Sequence, residues 1–357
     1  MVSVGLVMIV RDEEAVIERA LRSALPFIDT YVIVDTGSSD RTLDIARDVL
    51  RDVSSGLIVS RPWVDFGKNR TEALALCEGR MDWAIMLDAD DNLVGAPPKN
   101  MWTLDVDGML VRLQHGHNVH YRVQVFRMGR GWHYEGRIHE KAETENPTLA
   151  TWPPETYMIT RCEGSRSRDP AKFLKDAALM STEPPTQRNL FFLAQSYRDA
   201  GLMDVAICVY EKYMEHPSDS VQERYMVCVN LIVLIKDPVR QLTLAWEAVE
   251  LCPWRLEAPF TLLECRRNAG LRPSRQIYAL AMAVTNRVPR ETDNFVTPAV
   301  YAWGFDNELA IVAFALGHFD VAYDALVRCM LNAPTAELQE SARKNAKRAF
   351  EASCSSN

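Results

Sequence analysis

WAIMLDADDNL (residues 83–93) runs an apolar stretch straight into three aspartates, Asp88, Asp90 and Asp91. The apolar half has the composition of a strand buried on both faces. Carboxylates crowded at its end repel one another and lose hydration, so a compensating cation is the first expectation. Working outward, the same kind of run recurs upstream as VGLVMIV (4–10), YVIVD (31–35) and GLIVS (56–60). Helical patterns lie between these runs. Val16, Ile17, Ala20, Leu21 and Ala24 form one apolar stripe ending at Pro26, with Asp12 as its expected cap. RTLDIARDVL (41–50) follows the turn TGSSD, in which a serine is the expected cap, and GKNRTEALALCEG (67–79) is closed by Gly79. Strand and helix in alternation predict a mostly parallel, Rossmann-like sheet between helices, with ligands bound beyond the carboxyl ends of the strands. The three aspartates stand at such an end.

Past Asp91, GMLVRLQ (108–114) and HYRVQVFRM (120–128) read as antiparallel strands, followed by GRGWHYEGRIHEKAE (129–143). From Asp169 the chain reads as helices punctuated by Pro and Gly. Leu193, Ala194, Tyr197, Ala206, Tyr210 and Pro217, and again Leu309, Ala310, Ala322, Leu326 and Pro334, fall near the spacing of a tetratricopeptide repeat. The predicted division is 1–168 for the α/β domain and 169–357 for an all-α helical-repeat domain.

Composition narrows the function classes. The 357 residues exceed one ordinary core, and 48% hydrophobic with 25% charged residues describes a globular protein. A formal net charge of -8 with no basic stripe argues against nucleic-acid binding. No apolar run approaches the ~20 residues needed to span a bilayer. The amino-terminal apolar run lacks the flanks of a signal peptide. Eight scattered cysteines with no CxxC spacing read as reduced thiols, and a cytoplasmic location is expected. After the first strand the chain offers VRDEEA where a dinucleotide fold needs G-x-G-x-x-G, and no P-loop motif is present. The acids also lack the bidentate Glu that closes an EF-hand loop; a sparse set of hard oxygen ligands suits Mg²⁺ or Mn²⁺.

Taken in order, VMIVRDEEAVIERALRSA (7–24), YVIVDTGSSDRT (31–42), WVDFGKNRTEAL (63–74) and WAIMLDADD (83–91) resemble the motif series of family 2 glycosyltransferases of the GT-A fold. With YEGRIHE (134–140) and helices beginning FFLAQSYRDAG (191–201), the chain is similar to a bacterial and phage branch in which a small GT-A domain carries a tetratricopeptide-like tail. The resemblance implies transfer of a sugar, with inversion, from a nucleoside-diphosphate donor, uridine being the common base. Val10, Arg11 and Glu13 would line the nucleobase pocket, though they equally fit a helix start. Asp35 would bind base or ribose, or simply cap its turn. Lys68 and Arg70 would meet the diphosphate; the family often reads ARN here, so Asn69 departs from its place. Asp88, with Ala89, would touch ribose or sugar, Asp90 would hold Mn²⁺ or Mg²⁺, and Asp91 would stand behind it.

His139 would serve the metal or a phosphate, and Glu140 is the candidate general base, with Glu135 and Asp91 as rivals. His115, His117 and His120 form no metal set and read as surface or acceptor-groove residues. Trp132 and Tyr134 offer an aromatic face or core packing. Stacked helix pairs create a concave surface for a peptide or for a second copy of the chain. The acceptor is therefore expected to be a protein or peptide held by the tail. The alternatives are a saccharide or lipid-linked glycan, with the tail forming a homodimer, and an inactive scaffold.

Overall fold

The computed structural model describes residues 2–116, 118–218, 220–284, 288–290 and 293–356. His117 lies outside them. The chain divides into two compact units, Met1–Pro184 and Pro185–Asn357.

The first unit runs β1 (Val4–Val10), α1 (Ile17–Ala24), β2 (Thr30–Asp35), α2 (Thr42–Val49), β3 (Leu57–Ser60), α3 (Phe66–Cys77), β4 (Trp83–Met86), β5 (Asn92–Val94), β6 (Gly108–His115) and β7 (Asn118–Arg127). Four short strands follow, β8 (His133–Glu135), β9 (Lys141–Glu143), β10 (Leu149–Thr151) and β11 (Tyr157–Ile159), then α4 (Lys172–Met180). The main sheet has the order β3-β2-β1-β4-β7-β6-β11-β5, with β10 also paired to β6. β1, β2, β3 and β4 are mutually parallel, and β7 joins β4 antiparallel. Parallel strands need crossover connections, which α1, α2 and α3 supply; β1, β2 and β4 are almost wholly buried while β3 at the edge is only half-buried. The register sets Val10 beside Asp35 and Val7 beside Met86, so the tips of β1, β2 and β4 open on the same edge.

Two apolar cores flank this sheet. Ile17, Ala20, Leu21 and Ala24 of α1 fill one with Leu6, Met8 and Ile33. Ala73, Leu74 and Cys77 of α3 fill the other with Val7, Val32 and Met86. The anticipated stripe of α1 is thus the buried face. Its anticipated cap is not: α1 carries no side-chain cap, and Asp12, at φ 54°, instead accepts hydrogen bonds from the amide and hydroxyl of Ser39. α2 likewise starts without a serine cap. The two loops are tied to each other, the Asp12 amide donating to Ser38 Oγ and the Glu14 amide to Asp40. The helix α4, which the sequence reading assigned to the tail, belongs to the first unit.

The second unit is helical: α5 (Gln187–Asp199), α6 (Met203–Met214), α7 (Val221–Leu234), α8 (Pro238–Leu251), α9 (Glu257–Asn268), α10 (Arg275–Ala283), a π-helical turn (Val300–Gly304), α11 (Phe305–Ala315), α12 (Phe319–Asn332) and α13 (Ala336–Ser356). Consecutive helices pack as pairs, α5 with α6, α7 with α8 and α11 with α12. Of the residues of the repeat pattern, Ala194, Ala206, Tyr210, Leu309, Ala310, Ala322 and Leu326 are buried in one core, Leu193 is buried, Tyr197 is half-buried, and Pro217 and Pro334 are exposed at helix ends. Small side chains at the crossings let paired helices approach closely, the architecture of a helical repeat. Among the described residues no helix is long and apolar enough to cross a membrane.

Candidate donor site

The site is assembled by α3 and the segment after β8. Asp65 caps α3, accepting from the Lys68 amide at 2.7 Å. The Phe66 amide donates to the Arg137 carbonyl at 3.1 Å, and Thr71 Oγ1 accepts from the Tyr134 amide at 2.9 Å. At Gly67 the backbones of the two segments touch, and a Cβ there would overlap the Gly136 carbonyl oxygen. This lashes the RIHE loop to the first turns of α3, bringing Glu140 beside Arg70.

Arg70 is the hub. Its side chain is 7% exposed, its Nη2 donates to Asp88 Oδ1 at 2.5 Å, and its Nε stands 2.8 Å from Glu140 Oε1. The second contact is an ion pair without an aligned hydrogen bond. Burial opposes the guanidinium charge, but Asp88 and Glu140 outweigh it and raise its pKa. For Asp88, burial alone would push the carboxyl up; Arg70 and then Arg122, 3.9 Å away, reverse this and hold it below the usual carboxylate range. Two motifs far apart in sequence, the aspartates after β4 and the RIHE segment, therefore meet on one cation.

The other aspartates differ. Alternation after β4 turns Ala89 into the core, where it is 6% exposed, while Asp88 and Asp90 turn to the site. Asp90 Oδ2 accepts from the Gly164 amide at 3.0 Å. Asp91 is 1% exposed, and among the described residues neither of its carboxylate oxygens has a hydrogen-bond partner. Burial, and then repulsion from Asp88 and Asp90, push its carboxyl up to about 8. An orphaned buried carboxylate beside two more acids fits a cation in this cluster. Among the described residues, however, no three His, Cys, Asp or Glu side chains converge on a metal position. A divalent ion held by Asp90 would keep water or substrate oxygens in its remaining positions, as Mg²⁺ usually does. His139 is exposed and adopts φ 53°, a backbone conformation rarely taken by non-glycine residues.

Beyond the tips of β1 and β2 lies a cavity of about 490 Å³. Val10, Arg11 and Glu13, the residues expected to line a nucleobase pocket, are among its lining. Its apolar wall includes Trp63, Phe66 and Ile138, and α4 supplies Lys172 and Lys175. Glu13 accepts from the Ser165 amide and hydroxyl at 3.1 Å. Burial raises the Glu13 carboxyl, against the hydrogen bonds from Ser165. Gly164 sits so close that a Cβ would lie 3.0 Å from Glu13 Oε1 and 3.3 Å from Asp90 Oδ2. Glu13 and Asp90 thus both stand against Gly164, although Asp90 does not itself line the cavity.

Several anticipated residues are placed elsewhere or otherwise engaged. Asp35 is 4% exposed, and its carboxylate accepts from the amides of Gly37 and Ser38, the turn-capping alternative. Lys68 is exposed on α3 and does not line the cavity. Asn69 is fully buried and braces the preceding loop through Pro62 and Val64. Trp132 and Tyr134 pack against Phe126 at 5.2 and 6.0 Å between centroids. Of the rival bases, Glu135 has a side chain 69% exposed and lies on β8 with His133. The sequence reading did not mark Trp63, Phe66, Ser165, Arg166 or Lys172. Ser165, Arg166 and Lys172 belong to a stretch without strand periodicity, and only its position over the cavity shows its part.

With this geometry in place, the class follows from comparison. Residues 6–94 match the sequence model "Glycosyl transferase family 2", and the first unit carries a glycosyltransferase domain of that family. The chain is 26% identical over 313 residues to a TPR repeat-containing protein of Synechococcus elongatus, covering 70% of this chain and 74% of that one. It is 31% identical over 86 residues to an uncharacterized glycosyltransferase of Rickettsia bellii, covering 24% of this chain and only 27% of that protein's length. Among solved structures, S. aureus TarS 1-349 in complex with UDP aligns at 13% identity and a TM-score of 0.38, covering 88% of this chain and 92% of that one. A mannosyltransferase of Pyrobaculum calidifontis in complex with GDP-Man and Mn2+ aligns at 12% identity and 0.37, covering 78% and 86%.

Proposed function

We propose that the protein is a metal-dependent, inverting glycosyltransferase that moves a sugar from a nucleoside-diphosphate sugar to a hydroxyl or thiol of a protein or peptide. The observation that carries this reading is the shared guanidinium of Arg70, which joins Asp88 to Glu140 beside the strand tips. Uridine is the base placed first, on the family resemblance. The 490 Å³ cavity would take the nucleoside, with Trp63 and Phe66 offering aromatic surface.

Glu140 is the proposed base. Arg70 tethers it through Oε1, while Oε2 carries no hydrogen bond among the described residues. A carboxylate fixed by one oxygen can accept the acceptor's proton on the other as the hydroxyl or thiol attacks the anomeric carbon. Asp88, oriented by Arg70, would position the sugar or ribose. Asp90, with His139 contributed by the RIHE loop, would hold Mn²⁺ or Mg²⁺. Such an ion, when bound, stabilises the negative charge that develops on the departing diphosphate.

The helical tail supports the choice of a polypeptide acceptor, because stacked helix pairs offer an extended surface of the kind peptides occupy. The test is co-expression with candidate acceptor proteins followed by intact-mass measurement. A hexose-sized mass gain that disappears in Glu140→Gln is expected. Release of nucleoside diphosphate with transfer only to saccharide or lipid-linked acceptors would contradict the polypeptide assignment. No release from any UDP- or GDP-sugar in the presence of Mn²⁺ would contradict the transferase itself.

A further inference from the structure

Sugar transfer leaves a diphosphate whose growing charge needs cations placed before the reaction starts. The two that the sequence put forward do not meet this need directly. Arg70 is buried and already shared by Asp88 and Glu140, and Lys68 does not line the cavity. The cavity has its own cations: Arg11, Arg166, Lys172 and Lys175. Arg166 is paired with Asp176, and Lys175 Nζ lies 2.6 Å from Asp169 Oδ2. Arg11 has its Nε 3.8 Å from Asp12 and a side chain 55% exposed. Lys172 is different. It is half-buried at the start of α4, its ammonium lies 5.2 Å from the Phe173 ring centroid, and among the described residues it has no carboxylate partner.

We propose that Lys172 is a diphosphate-binding residue of the donor site, supplied by a helix far beyond the matched family segment. This rests on the donor chemistry proposed above and adds a residue to it. Asp176 lies within electrostatic range of Lys172 but is bonded to Arg166; an ammonium that forms no ion pair of its own on a cavity wall, where neighbouring cations are paired, is placed to receive an anion from outside the chain. Cys162 lies within electrostatic range of both Lys172 and the three aspartates. The apolar wall of Trp63, Phe66 and Ile138 leaves the nucleoside and the diphosphate different parts of one cavity.

The test is calorimetric titration of the full chain, with Mn²⁺ present, by UDP and UMP and in parallel by GDP and GMP. Wild type should prefer diphosphate over monophosphate, and Lys172→Met should reduce that preference about tenfold, as expected for loss of one charge-assisted contact. Lys172→Arg should restore it in part. Lys99→Met removes the same charge from an exposed turn outside the cavity and should leave the preference unchanged. A Lys172→Met protein with the wild-type preference, or one that loses both affinities equally, overturns the proposal while leaving the donor reading intact. Wild type that binds neither diphosphate overturns the donor reading and this proposal together. Lys172→Gln with a matched thermal-unfolding curve serves if Lys172→Met fails to fold.

Discussion

Arg70 is the nearest cation to both Asp88 and Glu140, and its removal should be felt in stability as much as in activity. Arg70→Met is expected to cost about 3–5 kcal/mol, the range for orphaning a buried charge, read as a lower urea midpoint. Asp88 shows the sign of the coupling. Its folded-state pKa is depressed, so the stability it lends is present above the ordinary Asp value and is lost as pH falls through the lower folded value. His120 carries a second pH signature, well away from the aspartates in sequence. Burial, then Arg122 and His115, lower it to about 4, so the unfolded chain binds its proton more readily than the folded one. Stability from His120 is therefore full above about 6.5 and declines as pH falls toward 4, by roughly 2–3 kcal/mol at one pKa unit per 1.36 kcal/mol. His120→Gln should flatten that part of the pH–stability curve; a wild-type curve already flat between pH 6.5 and 4 would refute the assignment.

At the scale of elements, the contact of α3 with the RIHE loop is the joint on which the site depends. Gly67→Ala places a methyl against the Gly136 carbonyl, and neither backbone can give way cheaply. A loss of about 1–3 kcal/mol is expected, together with a fall in kcat, because Glu140 would be pushed away from Arg70. Unchanged turnover in a folded Gly67→Ala protein would show that this joint does not position the base. The elements also show how far the sequence could be read. The strands before Asp91 and the repeat positions from Leu193 to Leu326 were legible, because burial on a sheet or at a helix crossing leaves a periodic apolar pattern. β8 to β11 are only three residues each, too short to carry a period, and they pass unseen within a polar stretch. Asp12 looked like a cap because it precedes a helical stripe. Its left-handed backbone and its bonds to Ser39 arise from a neighbouring loop that sequence order does not reveal. The aspartate cluster was legible as a site, but the sharing of Arg70 between Asp88 and Glu140 was not, since nothing local announces a pairing across some seventy residues.

For the whole molecule, the division at Pro184–Pro185 gives each unit its own core. A chain ending at Pro184 should fold with Lys172 and α4 in place, bind the donor and release nucleoside diphosphate slowly in the presence of Mn²⁺. It should also lose transfer to a protein acceptor, measured by intact mass. Full transfer by the shortened chain would remove the tail from acceptor recognition.

The most direct measurement is a calorimetric titration of the intact protein with UDP and GDP, with and without Mn²⁺, repeated on Asp90→Ala. Tight binding of one nucleotide only when the metal is present, abolished in Asp90→Ala at an unchanged melting temperature, is the predicted result. Equal binding with and without the metal, or undiminished in Asp90→Ala, would contradict the claim that the acid cluster after β4 grips a metal-bound donor.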